Sequence, residues 1–467
     1  MTLKFRPGAG LGIMHEIEPG AAMRWRPQRA RFFPLFAACC FWLAAFLPLT
    51  AWCDSGIFRK EGAAYPAGAV GAREDGQGEA LPAALHPYMP GAPLNELARL
   101  ESAAAWRQLR DEADRALDIP GLPAWDRGWI YVYRAWGALG ENDLTAAGND
   151  AAAARPLMPH ALQPVLLQCI VQARQGGALE AESRLKERTQ RGEPHSEEHA
   201  AMAAFYQANG DWMSAGHWYG EALNLAPNSA RLNASMAVVL WRLGEARKAL
   251  DFMSRAVRLS PGNADFYNER GMMFLNLGEA NLALADFNAA LALDGRHCGA
   301  LLNRGNLFFY AGRPALAEGD FSLGLRVYPH DSGLLTGRAR VYAAQGRYDE
   351  AQRDLETALG LSGEDVQALN DFAWFLATCP DSRYWNGPLA VELVQAAMAN
   401  DKAGEAGLYD TLAAARARAG EFKEAVAAQD QALLKGREQG APPDVLEEWG
   451  QRLRLYLKGE AYAQAAR

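Results

Sequence analysis

Apolar residues in the second half of the chain recur at three- and four-residue intervals, in stretches of about 12 to 14 residues. Polar residues occupy the opposite faces, and each stretch stops at a glycine or a proline. That pattern predicts amphipathic helices arranged in pairs, with no run that reads convincingly as a strand. The stops are regular. Gly210, Gly244, Gly278, Gly312 and Gly346 lie 34 residues apart. Five residues past each stands an alanine: Ala215, Ala249, Ala283, Ala317 and Ala351. Seven residues before each stands Ala203, Ala237, Gly271, Gly305 or Ala339. Four before each stands Tyr206, Leu240, Phe274, Phe308 or Tyr342, and 17 beyond stand Pro227, Pro261, Gly295, Pro329 and Gly363.

Each column has a physical meaning. A glycine that ends a first helix supplies the left-handed turn other residues pay for. The Pro or Gly column ends the second helix. Small residues let helix axes approach closely, and the aromatic column fills the space between neighbours. Residues 267–294, "YNERGMMFLNLGEANLALADFNAALALD", resemble a copy of the tetratricopeptide repeat. The resemblance runs roughly from residue 126 to residue 440 and is most specific over 196–365. It implies an all-α fold, in which tandem antiparallel helix pairs stack into a right-handed superhelix, an α-solenoid.

A charged pair accompanies the repeat. Arg270, Arg304 and Arg338 share one column, and Asp286, Asp320 and Asp354 follow 16 residues later on the partner helix. In the two preceding copies both columns are apolar together, Met202 with Trp218 and Met236 with Phe252. Joint switching predicts that the two columns touch. Upstream, Gly176 and Ala181 keep the register, and a looser copy around Gly140 reads as two residues out of phase. Downstream, Pro380 breaks the register, which returns at Gly420 after six added residues. In "DVLEEWGQRLRLYL", Val445, Leu446, Trp449, Leu453 and Tyr456 share one helical face, with Asp444 and Glu447 as its expected N-terminal cap. The expected organisation is therefore a signal peptide or membrane anchor at 1–53 and a Gly/Ala/Pro-rich linker at 54–94. Divergent helical repeats follow at 95–195, five regular repeats at 196–365, two further repeats with a six-residue insertion at 366–440, and a capping helix within 441–467.

Composition changes the picture at one end only. Net charge is −8 over 467 residues, and past residue 60 no Lys/Arg block concentrates positive charge, so nucleic acid is not an expected partner. Arg24, Arg26, Arg29 and Arg31 precede the uncharged run "FFPLFAACCFWLAAFLPLTAW" at 32–52. A basic stretch, an apolar stretch and small residues at its end read as an export signal, and the run is also long enough to remain as an anchor. Met23 is an alternative start. Either way the repeats are expected outside the cytoplasm, in the periplasm or at the inner membrane.

Candidate chemistry adds little. Cys169, Cys298 and Cys379 are far apart and form no metal or disulfide spacing, so three small buried thiols are expected. "HSEEH" at 195–199 matches an inverted zinc-protease signature. It falls at a helix start after Pro194, however, where His195 sits in the preceding turn and Glu197 and Glu198 suit the positive helix end. No catalytic residue, metal ligand or cofactor site is assigned. The resemblance implies instead that the first helices of the pairs line a concave wall that holds a peptide or partner protein. On that wall the repeat frame places Trp241, Arg242, Met272, Leu275, Asn306, Phe309, Tyr310, Arg340 and Trp374. The expected function is a non-enzymatic interaction scaffold of the cell envelope. The alternative is an accessory module of an envelope polysaccharide or glycan pathway, with the aromatics stacking on sugars.

Overall fold

The computed structural model describes Leu94, Leu97 and residues 106–464, apart from 190–194, 362–364 and 402–403. The expected signal or anchor segment, and the expected linker as far as residue 93, lie outside the described residues. Among the described residues no helix is long and apolar enough to cross a membrane.

Among the described residues the chain forms 20 α-helices and no strand. They are α1 (Trp106–Leu117), α2 (Ala124–Gly140), α3 (Leu144–Leu157), α4 (Gln163–Arg174), α5 (Ala178–Thr189), α6 (Ser196–Ala208) and α7 (Trp212–Leu225). The regular series continues with α8 (Ala230–Arg242), α9 (Ala246–Leu259), α10 (Ala264–Asn276), α11 (Ala280–Leu293), α12 (Cys298–Tyr310), α13 (Pro314–Val327), α14 (Ser332–Ala344) and α15 (Tyr348–Leu361). It ends with α16 (Val366–Thr378), α17 (Gly387–Asn400), α18 (Ala406–Arg418), α19 (Phe422–Glu438) and α20 (Pro443–Leu457). Each even helix from α2 to α18 packs on the odd helix that follows it, and each pair packs on the next. First helices of successive pairs also meet, as α12 meets α14 and α16 meets α18. Closer approach on that side makes it the inner wall of the curve.

The turn glycines have the left-handed backbone the repeat demands, with φ of 73° to 80° from Gly210 to Gly346. The first repeat corrects the sequence reading. Gly140 is the last residue of α2, and Asn142 makes the turn at φ 59°, two full repeats before Gly210. The copy is therefore in phase. Asparagine hid the position because it is the residue that most readily replaces glycine in this conformation.

The small columns admit aromatic rings. A Cβ on Gly305 would stand 2.6 Å from the Phe321 ring, and one on Gly271 would stand 2.7 Å from Phe287. Ala215, Ala249, Ala283, Ala317 and Ala351 are fully buried. The three Arg–Asp columns join as bidentate pairs: Arg270 with Asp286 at 2.8 and 2.8 Å, Arg304 with Asp320 at 2.8 and 2.7 Å, Arg338 with Asp354 at 2.7 and 2.9 Å. Arg134 and Asp150 form a fourth in the same register, at 2.9 and 2.6 Å. Each regular-repeat arginine also lies over the aromatic ring four residues on, Phe274, Phe308 or Tyr342. The paired aspartates raise the Arg270 and Arg338 pKa values despite burial.

Most of the insertion falls between α16 and α17, which eight residues separate where three separate α14 and α15. It carries a 3-10 turn, Ser382–Tyr384, whose Tyr384 packs on Phe375 and Tyr348 and donates to Asp349 at 2.7 Å. At the far end, Val445, Trp449 and Tyr456 of α20 are buried against the last pair. The expected cap there is corrected: Pro442 precedes the helix and makes no side-chain cap, while Asp444 lies in the first turn. The three cysteines outside the N-terminal segment are buried and unbridged. Near the other end, Leu97 is fully buried in one apolar cluster with Phe321, Leu334 and Leu335. Arg107 of α1 donates to the Leu361 carbonyl at 3.4 Å. The N-terminal helical stretch thus reaches across to the central repeats.

Candidate partner-binding groove

The first helices α8, α10, α12, α14 and α16 carry all nine wall residues that the repeat frame selects. They fall into five environments. Trp241 is half-buried beside the cluster of Val238, Met253 and Phe266. Arg242 lies 5.1 Å over the Trp212 ring, and burial lowers its pKa. Met272 and Leu275 are 5% and 9% exposed, so they contribute to packing between pairs more than to an open surface.

Asn306, Tyr310 and Arg340 come together. Arg340 donates from Nη1 to the Tyr310 hydroxyl and from Nη2 to Asn306 Oδ1, both at 3.0 Å. Its Nε stands 3.8 Å from Asp371 Oδ2, and the other oxygen of Asp371 accepts from Gln367 at 2.7 Å. Burial raises the Asp371 pKa, and the Arg340 charge opposes that rise. Phe309 meets Tyr310 edge to face at 5.4 Å and borders the cluster that includes Leu97. Three consecutive repeats therefore hold one guanidinium between a phenol, an amide and a carboxylate.

Trp374 stands apart. Its ring lies 6.1 Å from that of Tyr462, in the segment after α20, and 5.4 Å from the Arg452 guanidinium. Arg452 is bidentate to Asp410 at 2.9 and 2.9 Å, and both are buried. Asp371, Asp410, Arg452 and Tyr462 escape the sequence reading. Asp410 sits in a column whose other members are not acidic, the column of Asp371 holds only one other acid, Glu269, among Ser235, Asn303 and Gly337, and Tyr462 follows the last periodic helix.

The helix starts form a further column that periodicity alone had not singled out. His195, Ser229, Asn263, His297, Asp331 and Asp365 precede first helices at 34-residue steps. Ser229, Asn263, His297, Asp331 and Asp365 accept backbone N–H groups of the following turn. That resolves "HSEEH": His195 occupies the cap position, its N–H reaches the Glu198 carboxylate at 3.4 Å, and the His199 ring rests 5.4 Å from Trp218. Among the described residues no three His, Cys, Asp or Glu side chains gather to hold a metal ion.

The model of the family described as tetratricopeptide repeat matches residues 200–264, 234–297, 302–362 and 336–378. These segments are tetratricopeptide repeats. The fold is similar to several solved structures. One is a tetratricopeptide repeat protein from Parabacteroides merdae, 22% identical, TM-score 0.44, covering 56% of this chain and 98% of that one. Another is yeast Tom70, 13% identical, TM-score 0.40, covering 79% and 95%. A third is a thermophilic repeat protein of Thermus thermophilus, 20% identical, TM-score 0.33, covering 37% and 94%. No curated protein matches the sequence significantly. The inner wall of the array is where aromatic, amide and guanidinium groups gather.

Proposed function

We propose that the chain is a non-enzymatic scaffold of the cell envelope that binds a peptide or partner protein along the inner wall of its repeats. The observation that carries this reading is the Arg340–Tyr310–Asn306 arrangement beside Phe309. An arginine and aromatics held in fixed orientation on one face have the composition of an interface anchor. Their mutual hydrogen bonds reduce the ordering cost of binding. The envelope placement rests on the arginines and the apolar run at 32–52.

Crosslinking of the full chain in envelope extract, set beside a Trp241→Ala, Phe309→Ala variant, tests the groove. The variant recovers less of at least one protein partner; equal recovery of every partner by both forms overturns the reading. Recovery of oligosaccharide without protein favours the glycan alternative. Protease added to spheroplasts digests the repeats, whereas full protection overturns the placement outside the cytoplasm.

A further inference from the structure

The segment after α20 behaves as a bound peptide. It turns back at Gly459, φ 74°, and crosses the C-terminal ends of α18 and α16. The Gln464 N–H donates to the carbonyl of Thr378, the last residue of α16, at 2.8 Å. Arg418, at the end of α18, donates from Nη2 to the Tyr462 carbonyl and from Nε to the Ala377 carbonyl, both at 2.7 Å. The Tyr462 ring is the one large side chain. The Arg452 guanidinium lies 5.3 Å from it and 5.4 Å from Trp374, so one cation faces both rings. The neighbours Ala461 and Ala463 are small, and Ala463 is exposed.

This recognition uses main-chain hydrogen bonds and a single aromatic anchor, the usual economy of peptide binding to a preformed surface. The receptor side is rigid: Trp374 belongs to α16, and the Arg452–Asp410 pair is buried beneath. The ligand side is a short stretch without helix, the kind of segment that opens at low free energy. Trp374 is also one of the wall residues that the repeat frame selects for a partner, so tail and partner address the same place.

We propose that residues 459–464 are a resident ligand of the groove, an exchangeable strap that closes its Trp374 end. A protein partner docks there through an extended segment whose aromatic residue takes the place of Tyr462. This rests on the scaffold reading and adds the site, its occupant and the feature a partner must carry.

The probe is a fluorescent peptide of residues 459–464, GEAYAQ, titrated against the full chain and against a variant ending at Lys458. The peptide binds the shortened variant at least about tenfold more tightly than the full chain, and its Tyr→Ala version loses that binding. Equal binding to both proteins, or binding to neither while the shortened variant keeps its helical signal and cooperative melt, overturns the proposal. Should the shortened variant fail to fold, hydrogen exchange on the intact chain decides. The Gln464 amide then exchanges about a hundredfold faster than that of Phe375 within α16. Equal protection shows a fixed end and overturns the strap. Loss of peptide binding with partner recovery in the crosslinking experiment unaffected rejects the strap and leaves the scaffold reading standing.

Discussion

The Asp320 carboxylate receives both Nε and Nη2 of Arg304, at 2.8 and 2.7 Å, from the opposite helix of the same pair. Asp320 is 6% exposed, and Arg304 also donates to Asn288 at 2.8 Å. A planar guanidinium meeting a carboxylate in this way fixes the roll of one helix against the other. Its value lies in that geometry more than in net stability, because desolvating both charges offsets much of their attraction.

Asp320→Ala or Arg304→Ala alone therefore leaves a charge buried without its partner, at a cost of about 2–3 kcal/mol. The double variant costs no more than the worse single one, giving a coupling of about 2–3 kcal/mol in a denaturant-unfolding cycle. Additive losses would show that the pair does not act as a unit.

The small columns are equally testable. Gly305→Ala places a methyl 2.6 Å from the Phe321 ring in a packed interior, which costs about 1–3 kcal/mol. Gly319 lies in α13 with nothing within 4 Å of its would-be Cβ. Gly319→Ala thus gains about 0.5–1 kcal/mol through helix propensity alone. Thermal melts of the two variants move in opposite directions. Gly387→Ala is the severest of the set, since its Cβ meets the Ala419 backbone nitrogen at 2.5 Å, which no rotamer change relieves.

Asn142 holds φ 59° where the other repeats use glycine. Asn142→Gly relieves left-handed strain and stabilises the first repeat by about 0.5–1 kcal/mol, and Asn142→Val destabilises it by more than that. Hydrogen exchange in α2 and α3 reports the change locally, as nearest-neighbour coupling in a stacked array requires.

Glu405 is the residue to watch as pH changes. Burial, reinforced by Asp401, pushes its pKa from 4.5 up to about 7. In that window the folded chain binds a proton that the unfolded chain has lost, so this group's contribution to stability falls as pH rises from 4.5 to 7. Glu405→Gln, neutral throughout, melts higher than the wild type at pH 8, and the gap closes near pH 4. A gap that does not depend on pH would remove the assignment.

Much of the array was legible because each repeat solves the same local problem. Gly210 through Gly346 must be left-handed, Ala215 through Ala351 must be small, and Arg304 with Asp320 must meet because their columns change character together. The first repeat was misphased because Asn142 performs glycine's task without its name. Arg134 and Asp150, already standing in register, were lost with it. The helix caps from Ser229 to Asp365 share an acceptor role but not a residue type, so a search for identical letters passes over them.

What the chain's letters determine unaided is the periodic part: helix pairs, their turns, their small faces and the charged bond within each pair. These follow from interactions a few residues to one repeat apart, which recur in every copy and so leave columns. Only the tertiary structure decides that Tyr462 lies on Trp374, that Leu97 joins the cluster of Phe321, or that Arg452 closes on Asp410. Such contacts occur once, between segments brought together by the accumulated curvature of the stack, and a contact made once leaves no period to read.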